Sequence, residues 1–78
     1  MKYLAGTIAD VLTDGALATL ILDTGEHKHR LQADAKLLSQ ALTTLYGDDC
    51  IGKPAAVECE GATLTSIEIP GAAPNYAI

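Results

Sequence analysis

The spacing of apolar residues changes over residues 35–46, and this change constrains the fold more than any other feature of the sequence. Apolar side chains recur there at intervals of three and four positions, as on a helix with one buried face. They are Leu37, Leu38, Ala41, Leu42 and Leu45. Asp34 precedes the segment as a candidate N-cap, and Gly47 follows it where a left-handed C-terminal residue is common. The pattern predicts a helix over about residues 35–46.

Runs of apolar residues on both sides of this segment have the length and flanking turn residues of β-strands. Three runs precede it, separated by turn signals at residues 13–15 and 23–25, and two follow it, divided at Glu60-Gly61. Gly6 lies inside the first run and predicts a bend, a bulge or a close backbone contact. In the last run, Thr63 to Ile69, alternation along a strand places Thr63, Thr65, Ile67 and Ile69 on one face and Leu64, Ser66 and Glu68 on the other. The order β-β-β-α-β-β predicts a mainly β domain with one helix, a small OB-like Greek-key barrel.

A chain of 78 residues is long enough for one domain. We assign residues 1–70 to a single small β-barrel and residues 71–78 to a C-terminal tail. The tail lacks periodicity and ends in two apolar anchors, Tyr76 and Ile78. The sequence leaves two alternatives for it: a frayed end, or a segment laid across a neighbouring surface.

The second run, Ala16 to Leu22, is apolar on both parities apart from Thr19. Such a strand is either covered on both sides within the chain, or has one face in the core and one in a partner. Hydrophobic residues make up 49% of the sequence, more than one small core readily covers. We therefore expect self-association, with Leu17, Ile21, Tyr76 and Ile78 as candidate interface residues.

The chain is acidic, with a formal net charge of −5 and no basic cluster. Nucleic acids are bound through Lys and Arg, so binding to them is not expected. No apolar stretch is long enough to span a bilayer, and the first residues lack the apolar region of a signal peptide. We expect a cytoplasmic protein in which Cys50 and Cys59 are free thiols, although the sequence leaves a disulfide between them open.

His27 and His29 are the most prominent polar pair, in a third run predicted over Glu26 to Leu31. Two imidazoles at i and i+2 of a strand lie side by side and could share a metal, with Cys50, Cys59 or Asp48 as further ligands. Neither a CxxC nor an HxxxH pair is present. We therefore expect no metal site and keep the two histidines as weak candidates.

No pattern in the sequence indicates an enzyme. Asp48-Asp49 are consecutive, as in a solvated loop, and cross-strand ion pairs explain Glu58 and Glu60 more simply than catalysis does. Cys50 has no flanking signature of a nucleophile, and the glycines do not have the spacing of a phosphate-binding loop. We expect neither a catalytic residue nor a cofactor.

The order of elements, with Gly6, Asp14-Gly15, residues 37–46 and Gly52–Val57 as landmarks, resembles the OB-fold and also compact bacterial barrel modules of the same plan. The resemblance spans residues 2–69 and rests on layout. It implies a binding face on the second and third strands, where OB-fold proteins hold oligonucleotides or oligosaccharides. Neither of those runs contains Phe, Tyr or Trp.

We therefore expect a non-enzymatic binding or assembly module that acts through protein–protein contacts and forms a homo-oligomer. The alternatives are an OB-like oligonucleotide or oligosaccharide binder, and a metal site on His27 and His29.

Overall fold

The structure, a computed structural model, describes residues 2–71 and 76–78. Its elements in chain order are β1 (Lys2–Asp14), β2 (Leu17–Asp23), β3 (Lys28–Asp34), α1 (Ala35–Tyr46), β4 (Pro54–Glu60), β5 (Thr63–Glu68) and β6 (Tyr76–Ala77). The sheet order is β3-β2-β1-β4-β5-β6, and a parallel contact between β3 and β5 closes five strands into a barrel. The predicted mainly β barrel with one helix is confirmed, and its layout is compatible with the OB-fold.

The long first strand serves both halves of the barrel. Residues 2–7 of β1 pair with β4, and residues 7–14 pair with β2. The register with β2 shifts between Ile8 and Asp10, so Ala9 is the extra residue of a β-bulge. Ile8 also holds the loop before β4, because its N–H donates to the Lys53 carbonyl at 2.9 Å and its carbonyl accepts from the Gly52 N–H at 2.8 Å. Since a bulge bends and twists a strand, β1 can leave one half of the barrel and enter the other.

Of the three alternatives predicted for Gly6, a bend, a bulge or a close backbone contact, the structure shows the close contact. A Cβ at this position would lie 2.8 Å from the carbonyl carbon of Asp23, closer still to its oxygen, and 3.0 Å from Cα of Thr24. The end of β2 and the turn after it therefore lie directly against β1. Glycine is required here by space, since any side chain would overlap backbone atoms.

Both ends of α1 lie where the sequence predicts them. The Asp34 carboxylate accepts a hydrogen bond from the Leu37 N–H at 3.0 Å, and the Gly47 N–H donates to the Thr43 carbonyl at 2.9 Å, with φ of 76° at Gly47. The Ala35 N–H donates to the Ala16 carbonyl at 2.9 Å, which ties the helix start to the β1–β2 turn. Local signals at the two caps were thus sufficient to define the helix.

The barrel interior is filled mainly by aliphatic side chains from the strands and from one face of α1. The largest fully buried side chains are those of Ile8, Leu20, Leu22, Leu38, Val57, Leu64 and Ile67, together with Cys59. Ala41 and Leu42 complete the buried face of the helix. Leu37, which the spacing assigns to the same apolar face, is instead 49% exposed. The helix thus has a narrower buried face than predicted.

A bulge interrupts the period-two alternation expected over Thr63 to Ile69. The register between β4 and β5 shifts so that Cys59 pairs with Leu64 and Glu58 with Ser66, which leaves Thr65 as a bulged residue. The Thr65 hydroxyl donates to the Glu58 carbonyl at 3.0 Å. Because the bulge adds one residue, Leu64 and Ile67 both lie in the core although they have opposite parity.

The end of the chain lies on its own barrel. Tyr76 pairs with Ile67, and the Ile78 N–H donates to the Thr65 carbonyl at 3.0 Å. Tyr76 and Ile78, both proposed from the sequence as interface residues, are half-buried against the core of this chain. Residues 76–77 of the predicted tail therefore form a sixth strand, and residues 72–75 lie outside the described residues.

The replacement Gly6→Ala is expected to lower the free energy of unfolding by roughly 3 kcal/mol, because the backbone atoms of Asp23 cannot rotate aside as a flexible side chain can. Gly15→Ala is the matched control. Gly15 has φ of 63°, but a Cβ there would meet none of the described atoms within 4 Å, so its replacement costs roughly 1 kcal/mol of left-handed strain. Urea unfolding followed by circular dichroism measures both. Equal losses would contradict the close contact at Gly6.

Tyr46 predicts a loss of stability at alkaline pH. Its hydroxyl donates to the Pro54 carbonyl at 2.8 Å, and burial raises its pKa from 10.0 to about 12. The folded state therefore holds the phenolic proton more tightly than the unfolded state, and this stabilisation, fully present below pH 10, is lost as the pH rises towards 12. Tyr46→Phe should reduce the fall in unfolding free energy between about pH 8 and about pH 11, as measured by urea unfolding. Tyr3→Phe, at an exposed position, should reduce this fall less. A larger effect of Tyr3→Phe than of Tyr46→Phe would contradict the assignment of the alkaline loss of stability to Tyr46.

Candidate interface on the outer face of the barrel

The two parities of β2 have different surroundings. Ala18, Leu20 and Leu22 point into the core, whereas Leu17 is 52% exposed and Ile21 is half-buried on the opposite, outer side. The sequence left two alternatives for this strand, one of which was that the chain covers both of its faces. Within the described residues this alternative does not hold, because the outer face of β2 is not covered. The outer face of β2 therefore presents aliphatic side chains to the surroundings.

Leu12 of β1 extends this aliphatic surface. It lies opposite Thr19, diagonal to both Leu17 and Ile21, and is 47% exposed. Its parity in the sequence matches that of Ile8, which is buried, but the bulge at Ala9 reverses the parity of the residues that follow it. We call Leu12, Leu17, Thr19 and Ile21 the outer patch. Asp34, the β3 neighbour of Leu17, marks one end of the patch, and the exposed Leu37 follows it in the first turn of α1.

Charged and polar residues of β1 and β3 flank the outer patch in cross-strand rows. One row is Asp10–Ile21–Arg30, the next is Leu12–Thr19–Gln32, and the last is Asp14–Leu17–Asp34. Two of the carboxylates are already bound within the chain. Asp10 accepts from the Val11 N–H at 2.8 Å, and Asp34 accepts from the N-terminal turn of α1. The patch is thus aliphatic along β2, acidic on the β1 side, and basic on the β3 side at the row of Ile21.

The two histidines do not share a strand. β3 begins at Lys28, so the predicted bounds of the third run are wrong, and His27 belongs to the preceding turn, where its carbonyl accepts from the Thr24 N–H at 3.0 Å. His29 pairs with Leu22 and is half-buried. The two ring centroids are 6.2 Å apart and the rings are nearly perpendicular. The strand thus begins one residue after His27, but the two imidazoles still lie next to each other, edge to face.

The histidine pair has no third ligand among the described residues. Within residues 2–71 and 76–78, no group of three or more His, Cys, Asp and Glu side chains lies close enough to hold a metal ion. Cys50, Cys59 and Asp48 thus do not complete a site with the histidines. Both cysteines are free thiols: Cys59 is in the core, and burial raises the pKa of the half-buried Cys50 thiol.

A second polar cluster lies on the outer face of β1, β4 and β5. The Tyr3 hydroxyl donates to Glu68 Oε1 at 2.9 Å, and Tyr3 lies opposite Glu58 on β4. The hydrogen bond to Glu68, with desolvation and the nearby negative charges, raises the pKa of Tyr3. Ser66 is buried beside Glu58, and its Oγ has no hydrogen-bond partner among the described residues. The Tyr3–Glu68 contact joins positions 65 residues apart, and no local signal in the sequence indicates it.

The described part of the chain contains no pocket. None of its helices is long and apolar enough to cross a membrane. The exposed aliphatic surface on β1 and β2 is a feature of this part of the molecule that the fold itself does not use.

Comparisons with known proteins do not assign the chain to a family: no family model matches it, and the searches of curated proteins and of solved structures found no match. Its function is therefore argued from the geometry of the outer patch.

Proposed function

We propose that the protein is a non-enzymatic assembly module that acts through protein–protein contacts made by the outer patch. The observation that carries this proposal is the exposure of Leu12 and Leu17, at 47% and 52%, beside the half-buried Ile21 on one continuous face. Contiguous aliphatic surface of this kind usually marks an interface. Burying one such side chain completely stabilises a complex by about 1.5–3 kcal/mol before the costs of association.

The arrangement of charges supports contact through the face of the sheet. Protein interfaces commonly have an apolar centre and a polar rim, and here Asp10, Asp14, Arg30 and Asp34 surround the aliphatic residues. Among the described residues, residues 10–14 of β1 pair with β2 on one side and with no strand on the other, so that other side is a free edge. Asp10 binds the Val11 N–H and brings a charge to that edge, which disfavours pairing with another strand.

The proposal includes a homo-oligomer as the simplest assembly and a cytoplasmic location. Two unpaired cysteines are typical of a reducing compartment. Self-association is also a common supplement to the small core of a domain of this size.

A second candidate follows from the barrel layout. In OB-fold proteins the face of the second and third strands binds oligonucleotides or oligosaccharides. The same face here has two cations, Lys28 and Arg30, but no Phe, Tyr or Trp from Leu17 to Asp34 on which a base could stack. The net charge of −5 also opposes a polyanion, so these features support a protein partner over a nucleic acid.

Leu17→Lys and Ile21→Lys are expected to abolish assembly while the chain remains folded. Both side chains point away from the core, so a charged head group is tolerated in the free chain but not in a dry interface. The measurement is native mass spectrometry of untagged protein, together with capture of proteins from its host's lysate. Ser39→Lys, on the exposed side of α1, is the matched control and should behave as wild type. Variants that keep the wild-type assembly state and the same captured proteins would contradict the proposal.

Titration of fluorescent single-stranded oligonucleotides at low salt is expected to show no saturable binding, because the face lacks stacking side chains and the chain is acidic. Fluorescence anisotropy measures this. Saturable binding that is lost on Lys28→Ala and Arg30→Ala would favour the second candidate instead.

A further inference from the structure

We infer that the partner of the outer patch is a second copy of this chain, related to the first by a twofold axis that runs parallel to β2. The inference rests on the proposed function and specifies the occupant of the same face. It is carried by the charges that flank the patch, because they are arranged asymmetrically about β2.

The row that contains Ile21 has opposite charges at its two ends, Asp10 on β1 and Arg30 on β3. A twofold axis parallel to β2 reverses the lateral order of the strands and keeps their direction, so β1 of one copy faces β3 of the other. Asp10 then stands opposite Arg30 of the second copy, and the symmetry produces this contact twice. Ile21 and Leu17 each face their own equivalents across the axis, so aliphatic contacts occupy the centre.

The same operation brings Asp14 opposite Asp34 of the second copy at the far end of the patch. Asp34 is the N-cap of α1, and both the Leu37 N–H and the positive end of the helix dipole offset its charge. The repulsive row is therefore weaker than the attractive one.

An axis perpendicular to β2 is the other twofold arrangement of two such faces. Centred on Thr19, it would stack Asp10 on Asp14 of the second copy, and their β2 neighbours, Ile21 and Leu17, carry no charge that could relieve the repulsion. It would also place Arg30 against Asp34. The positive end of the α1 dipole offsets the charge of Asp34 in addition to its one hydrogen bond, whereas Asp10 has only its hydrogen bond from the Val11 N–H, so this attraction is weaker than the one between Asp10 and Arg30. The charges thus favour the parallel axis.

The size of the outer face limits the expected affinity of the dimer. A stable interface buries roughly 800 Å² per partner, which is about a sixth of the 4551 Å² accessible surface of the chain. Three neighbouring strands of about seven residues present a face of only about 14 by 20 Å. We therefore expect a dimer with a dissociation constant in the micromolar range or weaker, and the experiment must span protein concentrations up to about 1 mM.

The test is sedimentation equilibrium of two complementary variants, Asp10→Lys and Arg30→Glu. Alone, each variant replaces two attractive contacts by two repulsive ones, so its dimerisation should weaken about tenfold. Mixed in equal amounts, they should form a heterodimer with affinity near that of the wild type. In that heterodimer the introduced lysine faces the introduced glutamate, and the native Arg30 faces the native Asp10. Asp10→Asn, which can still accept from the Val11 N–H, separates loss of charge from loss of that hydrogen bond and should have an intermediate effect.

Three results would overturn the inference. Tighter dimerisation of Asp10→Lys would indicate the perpendicular axis, since the new cation would face Asp14. If the mixture dimerises no more tightly than each variant does alone, the Asp10–Arg30 contact is excluded. A wild-type chain that stays monomeric at the highest concentration would exclude a second copy, while capture of a protein by wild type but not by Leu17→Lys would leave the proposed function standing. If the wild-type chain stays monomeric and also captures no protein that Leu17→Lys fails to capture, both the inference and the proposed function are excluded.

Discussion

The backbone contact at Gly6 is the constraint on which the rest of the structure depends. The end of β2 lies so close to β1 there that no side chain fits between them. This approach allows one strand to pair with β4 over residues 2–7 and with β2 over residues 7–14. The bulge at Ala9 completes the change of direction. It also reverses the parity of the strand, so that Val11 packs against the core and Leu12 faces outwards. The outer patch is therefore a consequence of the same feature that closes the barrel.

The parts of the fold that the sequence predicts well are those defined by local interactions. The helix runs from Ala35 to Tyr46 as expected, because its caps involve hydrogen bonds to residues three and four positions away. The succession of the first five strands along the chain follows from the turn residues and the helix that separate them. The bulges at Ala9 and Thr65 were not predictable in the same way, since they arise from the curvature of a closed sheet. The sixth strand is another such case: Tyr76 pairs with β5 through contacts across the fold, and two apolar residues in a tail do not specify them.

The candidate site was predictable in part, because the periodicity of a regular strand can be seen in the sequence. Leu17 and Ile21 were indicated by a strand that is apolar on both parities, and the structure places both on the outer face. Leu12 was missed because its parity in the sequence is that of the core residues before the bulge. The start of the third strand was misplaced because the turn before β3 extends to His27, so that the strand begins two residues beyond the start predicted at Glu26. Sequence periodicity thus gives the faces of regular strands correctly and fails where a bulge or turn changes the register.

The chemistry of the exposed face has a physical implication for a domain of this size. The chain has no Phe or Trp, so its core is built from aliphatic side chains, each of which contributes less buried area than an aromatic one. Leaving Leu12 and Leu17 outside that core forgoes burial that a small domain needs. Association through the outer patch would recover it, and because a partner that binds only the folded chain stabilises it by mass action, folding and assembly would be coupled. In such an association, the charge on the free edge of β1 would disfavour strand pairing and favour contact through the face, where the burial is gained.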